Sequence, residues 1–212
     1  MTAYGPGAER IRDAFPAAVM GVVEDGWENR WREFHKGVAT GRFWIGPPWE
    51  SASDELLAIV IDPGQAFGTG SHPTTRLCLE LLDGVERGSL LDVGCGSGVL
   101  SIAAVKIGFG PASAFDFAQA SVDAAIENAE RNGVELHAWL GDALLDELPA
   151  ADVAVANVTL PTVEAVLPRL TVDRIITSGY LVTEQPVAPG YRHEGRRELE
   201  GWAADLFVKA TH

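Results

Sequence analysis

The sequence predicts an α/β fold in which a doubly wound, mostly parallel sheet is completed by a C-terminal antiparallel hairpin. From Ser89 onward, short apolar segments alternate with segments of helical period, a pattern typical of a parallel sheet with helices on both faces. The stretches YRHEGRREL and WAADLFVKA then flank Glu200-Gly201, which indicates a hairpin. With 212 residues, 47% of them hydrophobic, the chain can bury the core of one sizeable domain.

Five short apolar segments are predicted to be the strands of the main sheet, namely SLLDVG, ASAFD, VELHAWL, DVAVANV and RIITSGYLV. A helix across RLCLELLDGV, capped by Thr74 or Thr75, is predicted to precede them. Further helices are predicted from about Val99 to Ile107, from the second strand to a stop at Gly133, and across TVEAVLPRL. Ligands of such sheets bind at the carboxyl ends of the strands, so the chemistry is expected there.

Residues 1–50 are predicted to form a short N-terminal extension that packs on a larger domain at residues 51–212. Within the extension, Trp27, Trp31 and Phe34 share one face of a predicted short helix, and GRFWIGPPWE is predicted to contain a strand. The segment ELLAIVIDP predicts another strand at the start of the larger domain.

The composition narrows the choice of partner and compartment. A net charge of −14, from 30 acidic and 16 basic residues, argues against direct nucleic-acid binding, because neutralising phosphates needs a surface rich in Lys and Arg. The acidity fits a basic protein partner, or serves solubility alone. No apolar run is long enough for a membrane span, and the N-terminus lacks a signal-peptide pattern, so a cytoplasmic protein is expected. The two cysteines and five histidines lack metal-ligand spacing, and no metal site is predicted.

A glycine-rich turn after the first strand of the main sheet indicates a ligand site. In LLDVGCGSGVL, Gly94, Gly96 and Gly98 allow positive φ and a close approach of the backbone to a ligand. The dinucleotide pattern G-x-G-x-x-G fails because Val99 occupies its third glycine position. Asp92, just before the turn, would repel a pyrophosphate and can instead engage an ammonium group.

Two more acids are predicted to end the next two strands. Asp116 can accept hydrogen bonds from both hydroxyls of a ribose. Asp142 can lie near an adenine amino group, although an acid in a loop is as often a capping residue. Three acids at successive strand ends around a glycine turn point to S-adenosylmethionine as the ligand.

The motifs together resemble a known family. The order D-x-G-x-G-x-G, an acid ending the next strand and Gly-Asp ending the third resembles the class I methyltransferases, which have a Rossmann-like fold. The segments DPGQAFGTGSHPTTRLCLELL, LLDVGCGSGVLSIAAVKIG, NAERNGV and VANV are more specific and are similar to the ribosomal protein L11 methyltransferases (PrmA). The resemblance runs from about Trp27 to about Gly179. It implies protein methylation on amino groups, with a ribosomal protein as the substrate partner.

The resemblance also implies the roles of several residues. Phe67, Gly68, Thr69 and Gly70 are expected to line the S-adenosylmethionine pocket, where an aromatic face favours a sulfonium; a core role for Phe67 is the alternative. Asn157, at the end of the fourth strand, is expected to act in catalysis and to face the transferable methyl group. Its amide oxygen can accept a hydrogen bond from the incoming amine. His72 is expected to support the start of a helix and not to act as a catalyst.

Two features depart from the family pattern. Members typically carry a separate N-terminal domain that grips the ribosomal protein, and the residues before Trp27 are too few for such a core, so this domain is expected to be missing. After TSGYL, the segment VTEQPVAPGY lacks a helical period, so a loop is expected in place of a crossover helix. The missing domain leaves open a methyltransferase for a small molecule or another protein. A non-catalytic S-adenosylmethionine-binding module is a further alternative, which the intact glycine turn, Asp116 and Asn157 disfavour.

Overall fold

The structure, a computed structural model, describes residues 35–63 and 70–210. The predicted helix through Trp27, Trp31 and Phe34 lies outside these residues, as do Phe67, Gly68 and Thr69. Everything below refers to the described part of the chain.

Ten strands and four helices make up this part. The strands are Val38–Thr40 (β1), Phe43–Gly46 (β2), Leu57–Val60 (β3), Leu90–Val93 (β4), Ala112–Asp116 (β5), His137–Leu140 (β6), Ala151–Asn157 (β7), Val172–Leu181 (β8), Tyr191–Leu199 (β9) and Trp202–Lys209 (β10). The helices are Pro73–Gly84 (α1), Val99–Lys106 (α2), Gln119–Arg131 (α3) and Leu160–Val166 (α4), the last followed by a 3-10 turn at Leu167–Arg169.

Seven strands form the main sheet in the order β6-β5-β4-β7-β8-β10-β9. The first five are parallel, and β10 is antiparallel to both β8 and β9. The chain moves outward from β4 to β5 and β6, then returns to the other side of β4 for β7. The strand order therefore reverses between β4 and β7, which is where ligands of doubly wound sheets bind. The predicted fold class is confirmed, including the C-terminal hairpin.

Both faces of this sheet are buried. Along β7, Val153 and Val155 pack into one hydrophobic cluster with residues of α1 and α2. The alternate residues Ala154 and Ala156 pack into a second cluster with α4 and the 3-10 turn. Because side chains alternate across a strand, a continuous apolar run is what a strand covered on both sides requires.

Helix α1 begins earlier than predicted. Its N-terminal cap is His72, whose Nδ1 accepts a hydrogen bond from the backbone N–H of Thr74 at 3.4 Å. The prediction that Thr74 or Thr75 caps the helix is wrong. Proline is favoured in the first turn of a helix and holds the preceding residue extended, so Pro73 starts the helix and His72 becomes the cap.

A second, three-stranded sheet lies at the start of the described chain. Strands β1 and β2 pair antiparallel, and β2 and β3 pair parallel. The ammonium of Lys106 in α2 donates to the carbonyl of Ala58 in β3 at 2.7 Å, which ties this sheet to the main domain. Strands β2 and β3 lie on either side of the predicted boundary at residue 50, and the division of the chain into two domains stays a prediction.

The segment between β8 and β9 is a loop without a helix, as predicted. Arg196 of β9 holds this loop by donating to the carbonyls of Val182 and Glu184 at 3.0 and 2.8 Å. The same guanidinium lies 3.3 Å from the fully buried carboxylate of Asp205. Asp205 also accepts from the hydroxyl of Tyr180 at 2.9 Å. A buried polar network thus holds the loop that replaces a crossover helix.

Membrane-spanning helices and clusters of metal ligands are both absent from the described residues. No helix there is long and apolar enough to cross a bilayer. No three His, Cys, Asp or Glu side chains in that part of the chain are grouped as metal ligands would be.

A buried carboxyl joins the central strand to its helix. Asp92 of β4 is only 1% exposed, and its Oδ2 accepts from the Ser101 hydroxyl of α2 at 2.6 Å. Burial raises the pKa of Asp92 to about 6, and the nearby charge of Asp116 also raises it, against the lowering effect of the Ser101 hydrogen bonds. The charged form is therefore disfavoured in the folded protein.

This raised pKa predicts that Asp92→Asn stabilises the protein increasingly as the pH rises. Between the unfolded value of 3.8 and the folded value of about 6, the folded state binds more protons, so the Asp92 contribution to stability falls with rising pH. The unfolding free energy of Asp92→Asn minus that of the wild type should grow by about 1 kcal/mol from pH 5 to pH 7.5. Urea unfolding at both pH values measures it. A pH-independent difference would contradict the raised pKa.

Candidate active site

A cavity of about 750 Å³ opens at the carboxyl edge of the main sheet. Its walls come from the ends of five adjacent strands, β6, β5, β4, β7 and β8, together with the start of α1 and of β10. The cavity therefore lies across the point where the strand order reverses. Its volume is in the range of sites that bind drug-sized molecules.

The glycine turn forms the floor of the cavity. Gly94 and Gly96 line it with φ angles of 71° and 53°. The N–H groups of Gly94 and Cys95 both donate to the carbonyl of Phe115, at 2.9 and 3.0 Å, which ties the turn to β5. A side chain at Gly94 would also meet Val158 at 2.7 Å. Bare backbone is thus presented to the cavity at both glycines.

Asp116 is fixed against this turn. One carboxylate oxygen accepts from the N–H of Gly96 at 3.0 Å, and the other accepts from the N–H of Ala118 at 2.9 Å. The side chain is almost buried, yet it lines the cavity. Because a carboxylate offers about four lone-pair positions, each oxygen can still accept from a ligand.

Asp142 lies beside Asp116 on the same wall. The N–H of Gly141 donates to the Asp116 carbonyl at 3.0 Å, which brings the end of β6 next to β5. Asp142 accepts from the N–H of Leu144 at 2.8 Å, and its own N–H donates to Asp146 at 2.7 Å. The side chain of Asp142 therefore stabilises a turn in the loop after β6, and Asp142 lines the cavity at the same time.

An apolar surface completes this side and was missed by the sequence reasoning. Phe117 lines the cavity although it is 81% exposed, and Leu144 lines it at 44% exposure. Large apolar side chains so open to solvent often mark a ligand site. The available signal was an aromatic residue placed directly after the acid that ends β5.

The opposite side of the cavity holds Asn157. It ends β7, and its amide NH₂ donates to the Thr75 hydroxyl in α1 at 3.4 Å. Gly179 of β8 lines the same side with a φ of 104°, and a Cβ there would lie 2.1 Å from the carbonyl oxygen of Val158. The sequence reasoning did not assign Gly179. Its signal was a glycine inside an otherwise apolar strand, which often marks a close backbone approach.

His72 is both a helix cap and a wall of the cavity. Its ring makes an edge-to-face contact with Trp202 of β10 at a centroid distance of 4.8 Å, and both side chains line the cavity. The expected support of the helix start is thus present. Neither the contact with Trp202 nor its place in the cavity was predicted.

Three other predicted residues that the structure describes lie outside the lining. Asp92 is buried behind the glycine turn on Ser101. Gly98 starts α2 at a φ of 78°, where an added Cβ would come 3.0 Å from Ala125. Gly70 packs on β2, since its Cβ would lie 2.3 Å from Ile45. The structure therefore brings together Gly94, Gly96, Asp116, Asp142 and Asn157 from the predicted set.

Comparison with known proteins identifies the family. The family described as Ribosomal protein L11 methyltransferase (PrmA) matches residues 8–202. A ribosomal protein L11 methyltransferase of Myxococcus xanthus is 36% identical over 95% of this chain and 74% of its own length. One of Symbiobacterium thermophilum is 38% identical over 92% of this chain and 69% of its own length.

A solved structure agrees in fold. The ribosomal protein L11 methylase from Lactobacillus delbrueckii subsp. bulgaricus superposes with a TM-score of 0.76 and 27% identity, covering 84% of this chain and all of that one. The resemblance drawn from the sequence motifs is confirmed: this chain belongs to the ribosomal protein L11 methyltransferase family.

Proposed function

We propose that the chain transfers methyl groups from S-adenosylmethionine to amino groups of ribosomal protein L11. The observation that carries the proposal is one cavity that joins two kinds of surface. The backbone of the glycine turn and the oxygens of Asp116 lie on one side, and the amide of Asn157 lies on the other. The first side suits a nucleoside and the second an amine.

The residues present fit S-adenosylmethionine. The cavity volume of about 750 Å³ is sufficient for a ligand of this size. Gly94 and Gly96 would hold the amino-acid part against bare backbone, and Asp116 would accept from the ribose hydroxyls. Phe117 and Leu144 would cover the apolar face of the adenine, with Asp142 beside its amino group. Asp92 and Gly98 would support the turn from outside the lining, and Gly70 packs on Ile45 of β2.

The acceptor side is built to orient an amine. Bound S-adenosylmethionine supplies a methyl group made electrophilic by the adjacent sulfonium. Because Asn157 directs its NH₂ to Thr75, its amide oxygen is free to accept an N–H of the entering amine and to orient the nitrogen lone pair. Gly179 lets β8 approach the backbone of Val158 beside Asn157, since a Cβ there would lie 2.1 Å from the Val158 carbonyl oxygen. The catalytic contribution of the chain is then mainly positioning.

The amine must enter without its proton, since a protonated amine has no lone pair to donate. The apolar surroundings of the cavity favour the neutral amine over the ammonium. Transfer itself then needs no general base, which agrees with the capping role of His72.

The charge of the chain fits the proposed partner. A protein with a net charge of −14 attracts a basic protein and repels bare nucleic acid. A ribosomal protein substrate also places the reaction in the cytoplasm.

We expect purified chain, labelled S-adenosylmethionine and recombinant L11 to give labelled L11, with the methyl groups found by mass spectrometry on lysine or N-terminal amines. Heat-denatured enzyme is the control. The same assay on cell extract tests the alternatives. Label that appears only on small molecules would refute the proposed substrate, and tight S-adenosylmethionine binding with no labelled product would favour a non-catalytic module.

Asp116→Asn is expected to weaken S-adenosylmethionine binding by about tenfold or more, because the ribose hydroxyls lose a charged acceptor. Isothermal titration calorimetry measures the change. Asp123→Asn is the matched control, since Asp123 is an exposed acid of α3 outside the cavity lining. Equal affinity of Asp116→Asn and wild type would remove Asp116 from the cofactor site.

Asn157→Ala is expected to lower kcat by about a hundredfold while S-adenosylmethionine affinity changes little, because the amide acts on the acceptor amine. Single-turnover methylation and calorimetry on the same preparation separate the two effects. Thr75→Val, which removes only the partner of the Asn157 amide, should give an intermediate loss. Unchanged turnover in Asn157→Ala would place the acceptor clamp elsewhere.

A further inference from the structure

The NAERNGV segment at the end of α3 carries two asparagines that the cavity does not use. Asn128 and Asn132 are four residues apart, so they lie on one face of the helix. Asn128 is 1% exposed. A buried amide must have its hydrogen bonds satisfied by specific partners, and these partners define what the side chain does.

Asn128 bridges two segments that are distant in sequence. Its NH₂ donates to the carbonyl of Ser97, inside the glycine turn, at 3.0 Å. Its carbonyl oxygen accepts from the backbone N–H of Asp62, just after β3, at 3.1 Å. The guanidinium of Arg131 donates to the same oxygen at 3.1 Å and lies 3.4 Å from the Asp62 carboxylate. One side chain therefore joins the turn to the strand end of the small sheet.

Asn132 makes a comparable set of bonds without reaching the turn. It accepts from the N–H of Val60 at 2.9 Å and donates to the carbonyl of Val60 at 2.7 Å. It also donates to the carbonyl of Asn128 at 2.8 Å. The two asparagines thus share a helix face and a target strand, and only Asn128 contacts the glycine turn.

The turn is held from two directions. On the cavity side, the N–H of Gly96 donates to Asp116. On the reverse side, Ser97 is bound by Asn128, and Gly98 packs on Ala125 of the same helix. Gly96 and Gly98 have positive φ angles and no side chains, and within the turn the N–H of Gly98 donates to the carbonyl of Cys95 at 2.9 Å. The outside contacts add to this bond in fixing the direction of the intervening peptides.

We propose that Asn128 is a positioning residue for the cofactor, which fixes the glycine turn from behind in the conformation that binds S-adenosylmethionine. The inference rests on the proposed function, and it assigns a role in cofactor binding to a residue that does not line the cavity. Loss of the Asn128 contact would remove a buried hydrogen bond that links the turn to α3 and would let the turn rearrange more easily. Cofactor binding would then have to restore the order of the turn, at a cost in affinity.

The test compares three variants by calorimetry with S-adenosylmethionine and by thermal unfolding. Asn128→Ala removes the bridge, and Asn128→Asp keeps the shape and the acceptor toward Asp62 while removing the donor to Ser97. Asn132→Ala is the matched control on the same helix face. Hydrogen exchange of the peptide covering residues 94–98 reports the turn without any cofactor.

Both Asn128 variants are expected to bind S-adenosylmethionine about tenfold more weakly or worse, with faster exchange in residues 94–98. Asn132→Ala is expected to lose as much thermal stability yet to keep wild-type affinity and exchange in the turn. If one Asn128 variant does not fold, the other decides.

Wild-type affinity and exchange in a folded Asn128 variant would overturn the inference and leave the proposed function standing. Equal loss of affinity in Asn132→Ala would also overturn it, because the effect would then be one of general stability. A wild-type chain that binds no S-adenosylmethionine would instead refute the proposed function, and the inference with it.

Discussion

The hydrogen bond from the Gly96 N–H to Asp116 is the contact on which the site depends. It is 3.0 Å long and joins the turn after β4 to the acid that ends β5. Because the second oxygen of Asp116 is held by Ala118, the carboxylate cannot rotate away, and turn and acid keep a fixed spacing. The parallel pairing of β4 with β5 in a fixed register sets the distance between the turn and Asp116. A ligand that needs both groups therefore meets a preformed surface and loses little free energy to ordering it.

The other side of the cavity depends on the C-terminal strands. Gly179 lies so close to Val158 because β8 is distorted there, and the facing strand β10 has a register shift between Ala203 and Ala204. The Ser178 hydroxyl donates to the Ala203 carbonyl at 2.7 Å at this shift. The buried contacts among Tyr180, Thr177 and Asp205 follow directly. The antiparallel end of the sheet thus shapes the cavity wall that holds Asn157 and Gly179. The buried polar contacts of β8 and β10 fix this end of the sheet.

Local patterns in the sequence were sufficient for the strands and helices of the main sheet, and for the acids and glycines that end its strands. Strand β5 has the predicted bounds, and Asp116 follows from them. Gly179, Trp202 and Phe117 could not be assigned in this way. Gly179 and Trp202 reach the cavity through the pairing of β8 with β10. This pairing contains a bulge, which the hydrophobic period of the sequence does not predict. The sequence does not show that Phe117 is exposed, and without its exposure it cannot be told from an apolar residue of the core. Residue type alone favours a threonine over His72 as the cap, because histidine is not among the preferred capping residues, whereas Pro73 marks the first position of the helix.

Asp92 belongs to the glycine-turn motif but does not line the cavity. Three acids at neighbouring strand ends were expected to meet one ligand, yet only Asp116 and Asp142 line the cavity. Asp92 is enclosed with Ser101, and burial raises its pKa to about 6. Burying a carboxyl costs more free energy than burying an apolar side chain at the same position of the strand. Asp92 does, however, tie β4 to α2 directly behind Gly94 and Gly96. Asp92 and Asn128 therefore both fix the surroundings of the turn from outside the cavity lining, Asp92 through α2 and Asn128 from α3.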